Sequence, residues 1–451
     1  MWRTPFLIVL AICATFCVTV FTTGSAQAQI GLPGAPLSGP LSGLRDGLRD
    51  VVPRVTSPLT DLASETVSET LRAPRRLTGL IRRSDGALQA DPQGWPVVSA
   101  EIVAVDLSPV ARRLALAEGF TVVREERLAA LDLTSVVLSP PRGLSLRRAV
   151  DRLKRLDPEG DYAFNHVYSP AGEMDEAEAP SPRLAAPPPP PPPPRQALPS
   201  LRLGLIDTGV EATHPALAGS HIVQRGFAGP ARLAGHGTAV ASLMVGRAGG
   251  FSGAAPGADL LVADVYGGSP SGGSSTALAE ALSWMVENDA QVVNISLVGP
   301  RNALVEAAVR RVQARGVLIV AAVGNDGPAA APLFPAAYDG VVGVTAVNAR
   351  DRVLPEAARG PQVDFAAPGA DMAAASALSN GGYATVRGAS FASPLVAGLL
   401  ARQGAASTAV QTLARTARDL GAPGPDPFYG QGLVGADLRI APATVGARGG
   451  L

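Results

Sequence analysis

Apolar residues fall along this chain in short runs whose spacing changes from one region to the next. Residues 102–105 read as a strand, 109–118 as a helix closed by Gly119, and 120–123 and 135–138 as two further strands. Across 144–156, apolar Leu146, Val150, Leu153 and Leu156 recur at helical spacing against basic Arg147, Arg148, Arg152 and Lys154. Residues 161–168 supply a closing strand. The order β-α-β-β-α-β predicts a small ferredoxin-like α+β domain over 99–170. From residue 201 the runs become continuously apolar and β-branched, at 201–206, 260–265, 292–295, 317–323 and 341–347, with helical stretches at 276–288 and 302–315. Such strands predict an α/β domain over 200–440, a doubly wound and mainly parallel sheet covered on both faces. Sites in such sheets gather beyond the carboxyl ends of the strands.

The remaining stretches lack either period. Residues 29–98 are rich in Pro, Gly, Arg and Ser and are expected to be disordered. Residues 171–199 join an acidic patch (Glu173, Asp175, Glu176, Glu178) to an unbroken proline run, 187–194. That run favours stiff polyproline II and reads as a linker with exposed, cleavable backbone. Residues 441–451 form a tail. At the other end, Arg3, an apolar stretch over 6–21 and Ala26-Gln27-Ala28 read as a signal peptide over 1–28. The run is short and diluted by threonine, so no stable membrane span is expected in the mature chain. Export to periplasm, cell surface or medium follows. Cys13 and Cys17, the only cysteines, would leave with the signal. The 451 residues are 47% hydrophobic with zero formal net charge, which supports a large core and argues against a nucleic-acid partner.

Chemistry concentrates in four blocks. Asp207 follows directly on the strand 201–206. His236, in Gly235-His236-Gly237-Thr238, opens an apolar helical stretch, and Ser390, in Gly388-Ala389-Ser390-Phe391-Ala392-Ser393-Pro394, stands where another helix begins. Pro394 is read as lying in that helix's first turn. A serine hydroxyl needs a base to accept its proton, and a carboxylate fixes the imidazole tautomer. Asn325, in Gly324-Asn325-Asp326-Gly327, offers an amide N–H to a developing oxyanion, together with the Ser390 backbone N–H. Each residue alone has another reading: Asp207 and Asn325 as turn residues, His236 as a core or capping histidine, Ser390 as a helix N-cap. His214 is the one rival base.

Together the blocks resemble those of the subtilases, the subtilisin-like serine proteases. The resemblance is carried by Asp207-Thr208-Gly209 with His214-Pro215, Gly235-His236-Gly237-Thr238, Gly324-Asn325 and Gly388-Ala389-Ser390-Phe391-Ala392-Ser393-Pro394, in the order Asp, His, Ser. It covers roughly 201–436, including Phe428-Tyr429-Gly430-Gln431-Gly432-Leu433-Val434. It implies a serine endopeptidase acting on protein or peptide substrates, with Asp207, His236 and Ser390 catalytic and Asn325 in the oxyanion hole. By position, Ser296, Leu297, Val298 and Gly299 resemble the edge strand that pairs with substrate. Ala322, Val323, Gly324 and Leu333 resemble the S1 pocket, with Leu333 in place of a usual glycine, which implies small or medium apolar P1 residues.

The resemblance also implies that 99–170 is a propeptide, a partner in cis that assists folding, inhibits the site and is cut away. Self-cleavage between about Ser169 and Ser200 is the expectation. No metal site or cofactor is required by the sequence. The strong calcium site of many members lies on an insertion that 239–253 does not contain, so calcium stays possible but its dependence is not carried over. Ala389 replaces the usual threonine before the nucleophile. Against the endopeptidase stand a non-catalytic peptide-binding scaffold on the same fold and, more distantly, a retropepsin-like aspartic protease using Asp207.

Overall fold

The N-terminal strands of the computed structural model pair antiparallel and the C-terminal strands parallel, following their two hydrophobic patterns. The structure describes residues 76–173, 201–377, 381–404 and 407–447. The expectations for 1–28, for the proline run and for the last four residues lie outside them.

The first elements are α1 (Arg76–Arg83), β1 (Leu88–Ala90), β2 (Pro96–Val105), α2 (Pro109–Ala117), β3 (Thr121–Leu128), β4 (Leu133–Ser139), α3 (Leu146–Leu156) and β5 (Asp161–His166). β2 lies between β4 and β5, β3 pairs with β4, and β1 flanks the start of β2. This is the ferredoxin-like order. α2 starts where Ser108 Oγ accepts the Ala111 N–H at 3.1 Å, with Pro109 at its first position. On one sheet face Ile102, Ala104, Val136 and Leu138 bury against Phe120, Leu146, Ala149 and Leu153. The other face turns Val103, Leu131 and Leu133 into the larger core of the C-terminal unit. A sheet buried on both sides has no solvent face, which is why its central strands read as continuous rather than alternating runs.

Disorder over 29–98 is corrected for its last part. Residues 76–98 form α1, β1 and the start of β2, and Leu77, Leu88, Trp95 and Val97 are buried. Leu77 and Trp95 pack into the large core; Leu77, Leu80 and Ile81 do recur at helical spacing, but over two turns only, within a stretch whose composition reads as disordered. The closing strand also ends earlier than expected, at His166. The chain then makes β6 (Ser169–Pro170) and β7 (Gly172–Glu173), which pair with the C-terminal unit rather than with their own sheet.

That unit runs β8 (Arg202–Asp207), β9 (Ile222–Gly226), α4 (Gly235–Val245), β10 (Arg247–Ala248), β11 (Phe251–Ser252), β12 (Asp259–Asp264) and α5 (Ser275–Glu287). It continues through β13 (Val292–Ile295), β14 (Leu297–Val298), α6 (Ala303–Ala314), β15 (Leu318–Ala322), β16 (Val342–Val347) and β17 (Phe365–Pro368). β18 (Met372–Ala375), β19 (Tyr383–Gly388), α7 (Ala389–Arg402) and α8 (Ser407–Thr416) complete it. Seven strands form one parallel sheet in the order β17-β16-β15-β13-β8-β12-β9. α4 and α7 pack together on one side and α5 and α6 on the other. β9 and β17, which the apolar pattern did not mark, form the two edges. The tail is partly docked, since Val445 packs against the core.

Strand order reverses at β8, from which the chain builds first toward β9 and then toward β17. The carboxyl end of β8 is therefore the crevice where a site is expected. Asp207 is its last residue. No described helix is long and apolar enough to cross a membrane.

Candidate active site

Asp207 is fully buried, and its Oδ1 accepts from Thr208 N at 2.6 Å and from His236 Nδ1 at 2.8 Å. His236 is the second residue of α4. Its approach to the β8 turn depends on Gly237, where a Cβ would stand 2.3 Å from the Thr208 carbonyl. The Gly237 N–H instead donates to Thr208 Oγ1 at 2.9 Å, tying helix to turn. His236 Nε2 is buried and has no hydrogen-bond partner. A buried imidazole fixed at one nitrogen and free at the other is arranged to take a proton.

Asp264 ends the neighbouring strand in register with Asp207. Burial raises its pKa, the backbone N–H groups of Gly267, Arg232 and Tyr266 pull it back, and the Asp207 charge raises it further. Those three bonds hold the turn after β12 against the turn before α4. His214, the rival base, is used elsewhere: Nδ1 accepts from Ala216 N at 3.1 Å and Nε2 meets the Gly382 carbonyl at 2.9 Å.

Ser390 is the second residue of α7, and the neighbouring Phe391 ring lies 5.3 Å from that of His236. Ser390 Oγ bonds the Ser296 carbonyl at 3.4 Å rather than the imidazole. Pro394 stands beyond the first helical turn, a correction to its expected place. It has no N–H to give the Ser390 carbonyl four residues back. Ser296 Oγ donates to that carbonyl at 3.0 Å instead, while accepting from Asn294 Nδ2 at 2.8 Å. The edge strand and the nucleophile helix are joined through this hydroxyl, a link no sequence motif marks.

Asn325 accepts from Ala389 N at 3.1 Å through Oδ1, and its Nδ2 donates to the carbonyl of Ala171. Residues 167–173 lie along the cleft, where a linker was expected from 171 onward. Ser169 and Pro170 pair antiparallel with Val298 and Leu297, and Ala171 N donates to Ser296 O at 3.0 Å. Beyond Ala171, Gly172 and Glu173 pair with Gly388 and Arg387. On the opposite side Tyr168 N donates to Gly273 O at 2.8 Å and Tyr168 O accepts from Tyr266 Oη at 3.0 Å.

Tyr168 is fully buried. Its ring sits where a Cβ on Gly299 would come within 2.6 Å, and its hydroxyl donates to Pro300 O at 2.9 Å. Burial, reinforced by the adjacent Tyr338, pushes that hydroxyl well above its usual pKa, so it stays a donor. Leu333 is buried, with Cδ1 2.7 Å from where a Gly324 Cβ would stand, and Val298 Cγ1 lies 3.6 Å from the same point. Ala322 ends β15 and Val323 follows it, both fully buried. Of the expected substrate-binding residues, Ser296, Leu297, Val298 and Gly299 meet residues 168–171. Tyr266, Pro300 and Tyr338 join them without any preceding sequence signal.

A subtilase-family model matches residues 200–432. Thermitase of Thermoactinomyces vulgaris is 32% identical over 229 residues, 48% of this chain and 81% of that protein. Subtilisin Savinase of Lederbergia lenta is 34% identical over 249 residues, 52% of this chain and 89% of that protein. The crystal structure of fervidolysin from Fervidobacterium pennivorans, a keratinolytic enzyme related to subtilisin, superposes with a TM-score of 0.60 at 20% identity. That match covers 78% of this chain and 61% of the other, and it speaks for the fold. With the family model spanning more than half its length, the chain belongs to the subtilase family and is a subtilisin-like serine endopeptidase.

Proposed function

We propose that the protein hydrolyses peptide bonds through an acyl-enzyme on Ser390 and is made as an exported, self-processing zymogen. His236 Nε2 takes the Ser390 Oγ proton as Oγ bonds to the carbonyl carbon, and Asp207 stabilises the imidazolium. Asn325 Nδ2 donates to the oxyanion. The Ser390 N–H, in the first turn of α7 and so without an intrahelical acceptor, is the second donor. Collapse breaks the C–N bond, and the imidazolium proton goes to the leaving amine. Water then repeats the sequence on the ester.

The observation that carries this reading is the Ala171 carbonyl held by Asn325, in a strand paired to the edge strand leading from Ser296. The ferredoxin-like unit acts as the inhibitory propeptide: its sheet face packs on α5 and α6, and its C-terminal segment fills the cleft. Export rests on the signal-like composition of residues 1–28. Calcium is expected to be dispensable, because α4 leads straight into the β10–β11 hairpin. A chelator is therefore expected to leave the melting temperature unchanged.

The test is fluorophosphonate labelling of the mature protein beside a Ser390→Ala variant. Labelling of the wild type alone supports an activated serine. A mature wild type that does not react would leave the peptide-binding scaffold as the better account.

A further inference from the structure

The cleft segment is oriented as a substrate. Its backbone is paired at Tyr168 to Gly273 and the Tyr266 hydroxyl, from Ser169 to Ala171 to the edge strand on the opposite side, and at Gly172 and Glu173 to the strand before the nucleophile. Ser296 O accepts the Ala171 N–H at 3.0 Å and lies 3.4 Å from Ser390 Oγ, so one carbonyl positions both the residue and the nucleophile. Asn325 holds the Ala171 oxygen. The contacts at Ala171 mark one peptide bond, Ala171–Gly172.

The side chains along the segment differ in how closely they are read. Ala171 is buried, its carbonyl held by Asn325, and next to Asn325 the space at Gly324 is taken by Leu333 and Val298, which disfavours a large group at this position. Beside Pro170 lies a cavity of about 430 Å³ bounded by Thr208, Arg232, Asp264 and Tyr266, so that position is loosely held. Tyr168 is read most closely. Its ring needs the absence of a Cβ at Gly299, and its hydroxyl reaches a polar floor. That floor is Pro300 O, with Tyr338 Oη beside it. The Tyr338 hydroxyl is fixed in turn, accepting from Asn302 N and donating to Asn302 O, each at 3.0 Å. An aromatic residue without the hydroxyl would fill this pocket and leave the half-buried Pro300 carbonyl without this partner, an arrangement that discriminates between isosteres.

We infer that the enzyme cuts its own chain between Ala171 and Gly172, and that its substrates are proteins carrying tyrosine three residues before a small residue at the cut. This rests on the acyl-enzyme reading above. Ser390 Oγ bonds to the Ala171 carbonyl carbon as its proton passes to His236, and the Ala171–Gly172 C–N bond breaks as that proton passes to the Gly172 nitrogen. Water then releases the Ala171 carboxylate. The chain supplies both substrate and nucleophile, and no co-reactant besides water is needed.

The test follows the full-length chain and its Ser390→Ala variant over time by intact mass and N-terminal sequencing, with fluorophosphonate labelling in parallel. The expected first new N-terminus is Gly172, in the wild type alone. A first Ser390-dependent N-terminus elsewhere overturns the assignment, as does a wild type that labels but is not cut. Absence of both labelling and cutting overturns the acyl-enzyme reading and this one with it. A second measurement uses matured enzyme and the peptide Tyr-Ser-Pro-Ala-Gly-Glu. Phe in place of Tyr is expected to lower kcat/KM about 10-fold. Ala there, or Phe in place of the Ala, is expected to lower it more than about 100-fold. A Phe-for-Tyr peptide cut as fast as the parent would overturn the hydroxyl reading.

Discussion

Replacing Ser296 by alanine tests how the edge strand and the nucleophile helix are held together. The Ser296 side chain is fully buried, donates to Ser390 O at 3.0 Å and accepts from Asn294 Nδ2 at 2.8 Å. Without it, the Ser390 carbonyl has no partner, since Pro394 has no N–H to offer, and the Asn294 amide has lost its acceptor. An intramolecular hydrogen bond contributes about 1 kcal/mol net, and a buried group left unpaired costs about 1–3 kcal/mol. Ser296→Ala should therefore lose about 2–5 kcal/mol. Pro394→Ala places an N–H four residues after Ser390, so the double variant should recover about 1–2 kcal/mol of that loss. The assay is equilibrium urea unfolding of the full chain in a Ser390→Ala background, which prevents self-cleavage and leaves the Ser390 carbonyl intact. A loss below about 0.5 kcal/mol, or strict additivity of the two substitutions, would refute the reasoning.

Asn325→Ala should lower kcat about 100- to 1000-fold, the range known for subtilisin itself, with KM little changed; steady-state kinetics on a peptide substrate checks it. Leu333→Ala should open the space below Gly324, so that peptides with Leu or Phe at the cut gain in kcat/KM relative to Ala, which competition between the peptides reads directly. Asp364 is half-buried and accepts from Gly343 N at 2.7 Å; the loss of solvent raises its pKa above the ordinary 3.8, partly offset by that bond. Folded protein then binds this proton more tightly than the unfolded chain. Its contribution is full below pH 3.8 and is lost as pH rises through the folded value. Asp364→Asn keeps an acceptor but does not titrate, so wild type should lose melting temperature relative to the variant from pH 3.8 toward neutrality. A difference that stays flat, or slopes the other way, would contradict the assignment.

Much of the fold was legible in the sequence because its information is local. β13 was bounded to the residue, and α5 and α6 within one residue at each end, since long apolar runs and helical periods are set by neighbouring side chains. The order of the four chemical blocks likewise named Asp207, His236, Asn325 and Ser390 before any distance was available. What stayed hidden depends on residues far apart in the chain. α1 and β1 are too short, at eight and three residues, for their pattern to outweigh the composition around them, and Leu77 and Trp95 find their packing in the parallel-sheet unit far along the chain. His166, outside every motif, packs against Asp91 and Asn302 where the two units meet.

Sequence by itself determined the family and the two sheet types, and it singled out the residues proposed to do acyl-transfer chemistry, because residue identity and short-range spacing encode all of these. Only the tertiary structure decided that the chain from Tyr168 to Glu173 leaves its own sheet and lies in the cleft. It also decided that Ser296 completes a helix broken by Pro394, and that a tyrosine ring stands over Gly299. The physical reason is common to all of these. Hydrogen bonds and pocket walls are made between segments more than ninety residues apart, and no local pattern of polar and apolar positions records which distant carbonyl a given donor will meet.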